Sequence, residues 1–386
     1  MTIKPKPLAP LSIVALSGAA EMGKKIDKHL VDGIGDVAKP EDFSGSFLIE
    51  NKCPRFASGD GKGLIKRTVR GTDLFILVDV GNYSCTYEMF GSVSRMSPDD
   101  HFQDLKRIIQ AASGKAQRIN VIMPNLYGGR QHKRNYRESL DCACALQELE
   151  AMGVENLITF DAHDARVHNA VPLMGFDNFM PAYQVLKTLF KKAENLEIND
   201  ASFAVVSPDE GAIHRNMFYA SSLGVQLGMF YKRRDFSVIK NGMNPIVEHK
   251  YLGNSVEGKD ILVCDDIIGS GGSMLEVAAK LKERGAKRII TYATYTTFTH
   301  GLDKFDKAYA DGLIDYVFGT NLSYLTPELL SREWFKEVDV SKFIAYIISA
   351  LNYNVSISRL IDSNKKITAL LEKHGINSAK EVDNAT

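Results

Sequence analysis

The chain has 386 residues, 45 % of them hydrophobic and 24 % charged, an ordinary balance for a globular protein and enough length for two domains. Basic and acidic residues both number 47, so the formal net charge is zero. No global basic excess exists to hold a nucleic-acid backbone or a membrane surface, so any anion must be met by a local cluster.

The N-terminus, Met1-Thr2-Ile3-Lys4-Pro5, lacks an apolar run followed by a small-residue cleavage site, which argues against a secretory leader. No stretch approaches eighteen apolar residues. The five cysteines are odd in number and scattered among apolar neighbours, and Cys142-x-Cys144 is too tight a pair for a zinc knuckle. Reduced thiols in a cytoplasmic protein are expected.

Strand-like apolar runs alternate with helical segments, the pattern of an α/β protein with mainly parallel sheets flanked by helices. In chain order the clearest strands are 74–78, 119–123, 157–160, 203–206, 261–264 and 288–293. Helices are expected at 99–112, 139–152 and 274–284, the last ending in a cation and a glycine, as a helix C-terminus favours. The polar stretch 191–200 lies near a domain boundary. After Pro327 the chain turns helical at 340–353 and 358–374, and its last residues are polar. Two strands share a shape, an apolar run followed by acidic residues: one leads to Asp161-Ala162-His163, the other to Asp265-Asp266.

The second of these carries the strongest chemical signal. A buried strand delivers Asp265 and Asp266 to its carboxyl end, where open α/β sheets bind ligands. Gly269-Ser270-Gly271-Gly272-Ser273 then opens a helix, whose first N–H groups hold a phosphate while the glycines let it approach. Two carboxylates beside a phosphate nest suit a phosphosugar, with the acids on ribose hydroxyls. Asp161 and His163, two apart at a strand end, can share one crevice and ligate Mg²⁺ or Mn²⁺. Lys232-Arg233-Arg234 follows a strand and precedes a long polar excursion, and Arg130, Gln131 and Lys133 form a second polar cluster.

The segment from Asp265 to Ser273 resembles the phosphoribosyl-diphosphate motif of the type I phosphoribosyltransferase fold. Four other segments narrow the resemblance to the ribose-phosphate diphosphokinases, also called phosphoribosyl diphosphate synthetases. Gly129-Arg130-Gln131-His132-Lys133 is similar to that family's Ala-Arg-Gln-Asp-Lys segment, and Phe160-Asp161-Ala162-His163 to its Asp-Leu-His metal segment. Ser207-Pro208-Asp209-Glu210-Gly211 matches a Ser-Pro-Asp-x-Gly turn, and Lys232-Arg233-Arg234 the catalytic Lys-Arg-Arg loop. All occur in the family's order. Departures also appear: His132 stands where the family has Asp, Gly269 replaces an Asp, and Ala212 replaces a Gly. The family's Phe-Ser-Asp-Gly-Glu adenine loop appears only as Arg55-Phe56-Ala57-Ser58-Gly59-Asp60-Gly61. The chain is a divergent member, with extra residues around 79–98 and after 353.

The resemblance implies two phosphoribosyltransferase-like domains: an ATP-side domain at 1–178 joined by a returning helix at 338–355, and a phosphosugar domain at 179–337. A helical, polar tail follows at 356–386. It implies transfer of the β,γ-diphosphoryl group of Mg-ATP to the 1-hydroxyl of ribose 5-phosphate in a homo-oligomer that uses no nucleic acid and no membrane. Lys232 and Arg234 are then catalytic; Arg130, Gln131 and Phe56 bind ATP; Asp265, Asp266 and Gly269 to Ser273 bind ribose 5-phosphate. Asp161, His163 and Asp209 hold Mg²⁺. The alternatives are a phosphoribosyltransferase that consumes the product, and a non-catalytic regulatory homologue.

Overall fold

The computed structural model describes residues 6–134, 136–234 and 246–376. The chain divides into two compact units, the first made of residues 1–181, 321–324 and 339–362, the second of 182–320, 325–338 and 363–386.

Among the described residues nine strands belong to the first unit: β1 (Leu11–Ala15), β2 (Asn51–Lys52), β3 (Leu64–Ile65), β4 (Asp73–Leu77), β5 (Thr86–Met89), β6 (Ser92–Arg95), β7 (Arg118–Ile122), β8 (Asn156–Phe160) and β9 (Gly175–Phe179). The main sheet has the order β1-β4-β7-β8-β9, parallel throughout. β4 and β7 are buried along their whole length, as central parallel strands must be when helices cover both faces. The helix Pro98–Ala112 starts from a capping box, Ser97 accepting from the Asp100 amide and Asp100 from the Ser97 amide, with Pro98 in the first turn. It buries Leu105, Ile108 and Ile109 in the core. A Cβ at Gly23 would lie 2.5 Å from Ala15 Cβ, so this glycine lets the helix Ala20–Val31 approach the sheet.

The helix Ser341–Asn352 also belongs to this unit and is tied in by one carboxylate. Asp73, fully buried, accepts from Arg118 Nε (2.9 Å) and Nη2 (2.8 Å), from Asn120 Nδ2 (2.8 Å) and from Asn352 Nδ2 (3.0 Å).

In the second unit lie β10 (Phe203–Ser207), β11 (Gln226–Arg234), β12 (Ile246–Leu252), β13 (Asp260–Ile268), β14 (Arg288–Thr296), β15 (Tyr316–Thr320) and β16 (Phe335–Val338). Their order is β12-β11-β10-β13-β14-β15-β16, parallel except for the β11–β12 pair. Trp334 anchors the core, with Phe305 stacked on it and its Nε1–H given to Asp306 at 2.7 Å.

Several elements depart from expectation. The polar stretch 191–200 falls inside the second unit, because the helix Ala182–Lys192 buries Val185, Leu186 and Leu189 there. The helix expected at 358–374 is two, Ser358–Ile361 and Asn364–Lys373, broken where Asp362 turns extended. Within the segment read as a tail, Ile367 and Leu371 are buried. Lys232 to Arg234 do not form a loop: β11 runs on through them and pairs antiparallel with β12, with a register shift between Arg233 and Arg234. Residues 235–245 lie outside the described residues, as do the side chains of Lys232, Arg233 and Arg234.

Candidate active site

In the second unit the acidic pair sits within a strand. β13 continues past Cys264 because Asp265 pairs with Ala293 and Ile267 with Tyr295 of β14. Asp266 is buried while Asp265 is partly open. Burial and the neighbouring Asp266 charge push the Asp265 carboxyl well above its usual range. Arg215 Nη1, 3.7 Å from Asp265 Oδ1, pulls the other way. A carboxylate held under this tension gains from a cation or a hydroxyl donor arriving beside it.

The anion turn follows directly. Gly271 has φ 76 and caps the helix Gly272–Glu283, and a Cβ there would overlap the Phe305 ring. Glycine is therefore required twice over, by the left-handed backbone and by close packing on the Phe305–Trp334 stack. Around Gly269 a Cβ would meet nothing within 4 Å, and Ser270, Gly272 and Ser273 are exposed. The first N–H groups of a helix have no intrahelical acceptor, so this turn presents donors to open space.

The turn at Asp209 is pinned to the same strand through Asn216. Asn216 Nδ2 donates to Cys264 O (2.8 Å) and Ala212 O (2.8 Å), while its Oδ1 accepts from the Cys264 amide (3.0 Å). Ser207 Oγ donates to Asp209 O at 2.7 Å, and Asp209 Oδ1 accepts from the Ala212 amide at 3.2 Å. Asp209, Asp265, Asp266 and the turn Gly269 to Ser273 thus belong to one unit. Sequence reasoning missed Arg215 and Asn216. Their signal was a cation and an amide in the helix Ile213–Leu223, just after the Ser-Pro-Asp turn.

In the first unit, Asp161 directly follows β8 with a positive φ of 44 and is buried. Its amide donates to Phe179 O (2.9 Å), and the Ala162 amide to Asn178 Oδ1 (3.0 Å), so β9 holds the turn that carries His163. The His163 ring lies 5.2 Å from the His132 ring, and His132 Nε2 is 3.5 Å from Asp164 Oδ2. Arg166, hydrogen-bonded to Asp164, holds that carboxyl far below its usual range. His132 Nδ1 is buried without a hydrogen-bond partner among the described residues. A carboxylate, an imidazole and a second, unsatisfied ring nitrogen suit a divalent cation. Among the described residues no three His, Cys, Asp or Glu side chains gather closely enough to hold one by themselves.

Arg130 is exposed, and Gln131 Nε2 donates to Ser139 O at 3.0 Å. Phe56 stands on a different loop, 57 % exposed, with Lys62 Nζ 5.8 Å from its ring centre.

Residues 11–153 match the family model for the N-terminal domain of ribose phosphate pyrophosphokinase, and 176–324 the phosphoribosyl transferase domain. A ribose-phosphate pyrophosphokinase from Ralstonia nicotianae is 30 % identical over 251 residues, covering 64 % of this chain and 70 % of the relative. The chain belongs to the ribose-phosphate pyrophosphokinase family. The Vibrio cholerae ribose-phosphate pyrophosphokinase is 29 % identical over 359 residues, 91 % of this chain and 99 % of its own. The crystal structure of phosphoribosylpyrophosphate synthetase from Mycobacterium smegmatis shares the fold, with a TM-score of 0.70 at 22 % identity, covering 89 % of this chain and 99 % of that one. Within this pyrophosphokinase family the chain is divergent, at 29 % identity to the Vibrio cholerae relative over nearly the whole of both chains. All five cysteines are free, and no helix among the described residues is long and apolar enough to cross a membrane.

Proposed function

We propose that this chain is a ribose-phosphate diphosphokinase: ATP and ribose 5-phosphate give 5-phosphoribosyl 1-diphosphate and AMP. The observation that carries this reading is β13, which brings Asp265 and Asp266 to the open turn Gly269 to Ser273, in a chain that also carries the family's N-terminal domain. A transferase that consumes the product would not account for residues 11–153.

The turn Gly269 to Ser273 takes the 5-phosphate, and Asp265 and Asp266 take the ribose hydroxyls. The sugar's 1-hydroxyl attacks the β-phosphorus in line, and AMP leaves. Little covalent chemistry falls to the protein, so positioning and electrostatics supply the rate. Lys232 and Arg234 meet the transferring phosphates, while Arg130, Gln131 and Phe56 hold the nucleotide. Asp161 and His163 would hold Mg²⁺, and Asp209 is a separate candidate metal contact in the second unit. Bound magnesium neutralises charge on the diphosphoryl oxygens. A cytoplasmic homo-oligomer is the expected setting.

The metal assignment has a direct test. Activity should require a divalent cation, and Asp161→Ala with His163→Ala should raise the Mg²⁺ needed for half-maximal activity by about tenfold or more, with unchanged circular dichroism. Full activity in excess chelator, or a double variant matching the parent, would return both residues to a packing role.

A further inference from the structure

Between β4 and the helix Pro98–Ala112 the chain carries a hairpin that none of these roles uses. β5 and β6 pair from Thr86 opposite Arg95 to Met89 opposite Ser92. The turn residues Phe90 and Gly91 both have positive φ, 48° and 72°, the geometry of a two-residue type I′ turn. Such turns favour Asn-Gly, and a phenylalanine there is strained. The Phe90 side chain is 80 % exposed, so burial does not offset that strain. An isolated two-stranded hairpin is marginal in water, so this one must lean on something.

It leans on the Phe56 loop. The Phe90 amide donates to Ala57 O at 2.8 Å. A Cβ at Gly59 would lie 2.6 Å from Met89 Sδ, so the thioether fills the space that this glycine leaves. The Tyr87 ring centre lies 5.1 Å from the Arg55 guanidinium, which is itself buried against Asp104 at 2.7 Å. The loop closes on itself, with the Phe56 amide donating to Asp60 O (2.7 Å) and the Gly59 amide to Phe56 O (2.8 Å). The loop is thereby tied at Ala57 to the hairpin tip, at Gly59 to Met89 of β5, and through the adjoining Arg55 to Tyr87 and Asp104.

We propose that the hairpin Thr86–Arg95 is a brace that fixes the Phe56 loop in one shape, making Met89 and the Phe90 amide positioning groups for the base of ATP. The proposal rests on the reading that Phe56 meets the nucleobase. An aromatic platform already held in place loses less freedom when a base stacks on it, so the brace acts on nucleotide affinity and not on the chemical step.

The test replaces Thr86–Arg95 by Gly-Gly between Cys85 and Met96, whose backbones are already joined by the Met96 amide donating to Cys85 O at 2.9 Å. The ATP KM should rise about three- to tenfold, the weight of one lost hydrogen bond and its ordering, with ribose 5-phosphate KM and kcat within about twofold. Amide hydrogen exchange at residues 56–60 should quicken by a similar factor. Met89→Ala should move both readouts the same way by less, and Met89→Leu should restore them. Unchanged exchange at 56–60 in both the excised chain and Met89→Ala would overturn the brace. Faster exchange with an unchanged ATP KM would uphold the brace and remove Phe56 from the nucleotide site. Should the excised chain fail to fold, Met89→Ala alone decides.

Discussion

Replacing Lys232 with alanine is expected to lower kcat by about 10²–10⁴-fold, the usual loss when a fixed donor to developing charge is removed. The expectation follows from where the charge moves. Between ground state and transition state the charge on the β-phosphoryl group is redistributed, and in the role proposed for it Lys232 stabilises the second more than the first. Ser273 stands differently: it lies in the exposed first turn of a helix, and the phosphate that the proposed function assigns to that turn is unchanged by the reaction. Ser273→Ala should therefore raise the KM for ribose 5-phosphate and leave kcat nearly intact, because interactions made equally in both states affect binding alone. If Lys232→Ala keeps kcat within about threefold of the parent, under one decade or 1.4 kcal/mol of barrier, the cation only faces solvent.

The largest expected effect on stability lies in the first unit, at Asp73. Its carboxylate is fully buried and takes hydrogen bonds from Arg118, Asn120 and Asn352, so it joins β4, β7 and the helix Ser341–Asn352. Asp73→Ala would strand the Arg118 guanidinium, whose side chain is 8 % exposed, and should cost about 3–5 kcal/mol, the penalty of a buried charge without its partner. The shift in urea midpoint at constant slope measures it. A cost below about 1 kcal/mol, the scale of an exposed pair, would mean that water reaches Arg118 and the network does not hold the returning helix.

The sequence made the central strands plain because a parallel strand covered on both faces must be a short apolar run, as 74–78 and 203–206 are. It made the anion turn plain for a local reason: glycines and serines at a strand-to-helix junction have few other uses. What depended on pairing was hidden. β13 runs through Asp265 and Asp266 because β14 supplies its backbone partners, and nothing in the acidic residues announces a strand. The continuation of β11 through Lys232 to Arg234 is hidden likewise, since a two-stranded ribbon needs backbone partners and no apolar pattern. Arg215 and Asn216 were missed because their partners, Asp265 and Cys264, lie some fifty positions away along the chain. The Asp73 network was beyond reach for the same reason, one of its donors being 279 positions distant. The hairpin Thr86–Arg95 was visible only as extra length, because Phe90-Gly91 is not a turn signal that sequence favours.

The central claim is that a diphosphoryl group, and not a single phosphoryl group, moves from ATP to a phosphosugar. The purified chain incubated with Mg-ATP and ribose 5-phosphate should release AMP in step with a sugar 1-diphosphate, followed together by ³¹P NMR and chromatography. Without the sugar, AMP should not accumulate. ADP formed in proportion to sugar consumed, or AMP formed equally without sugar, would contradict the account.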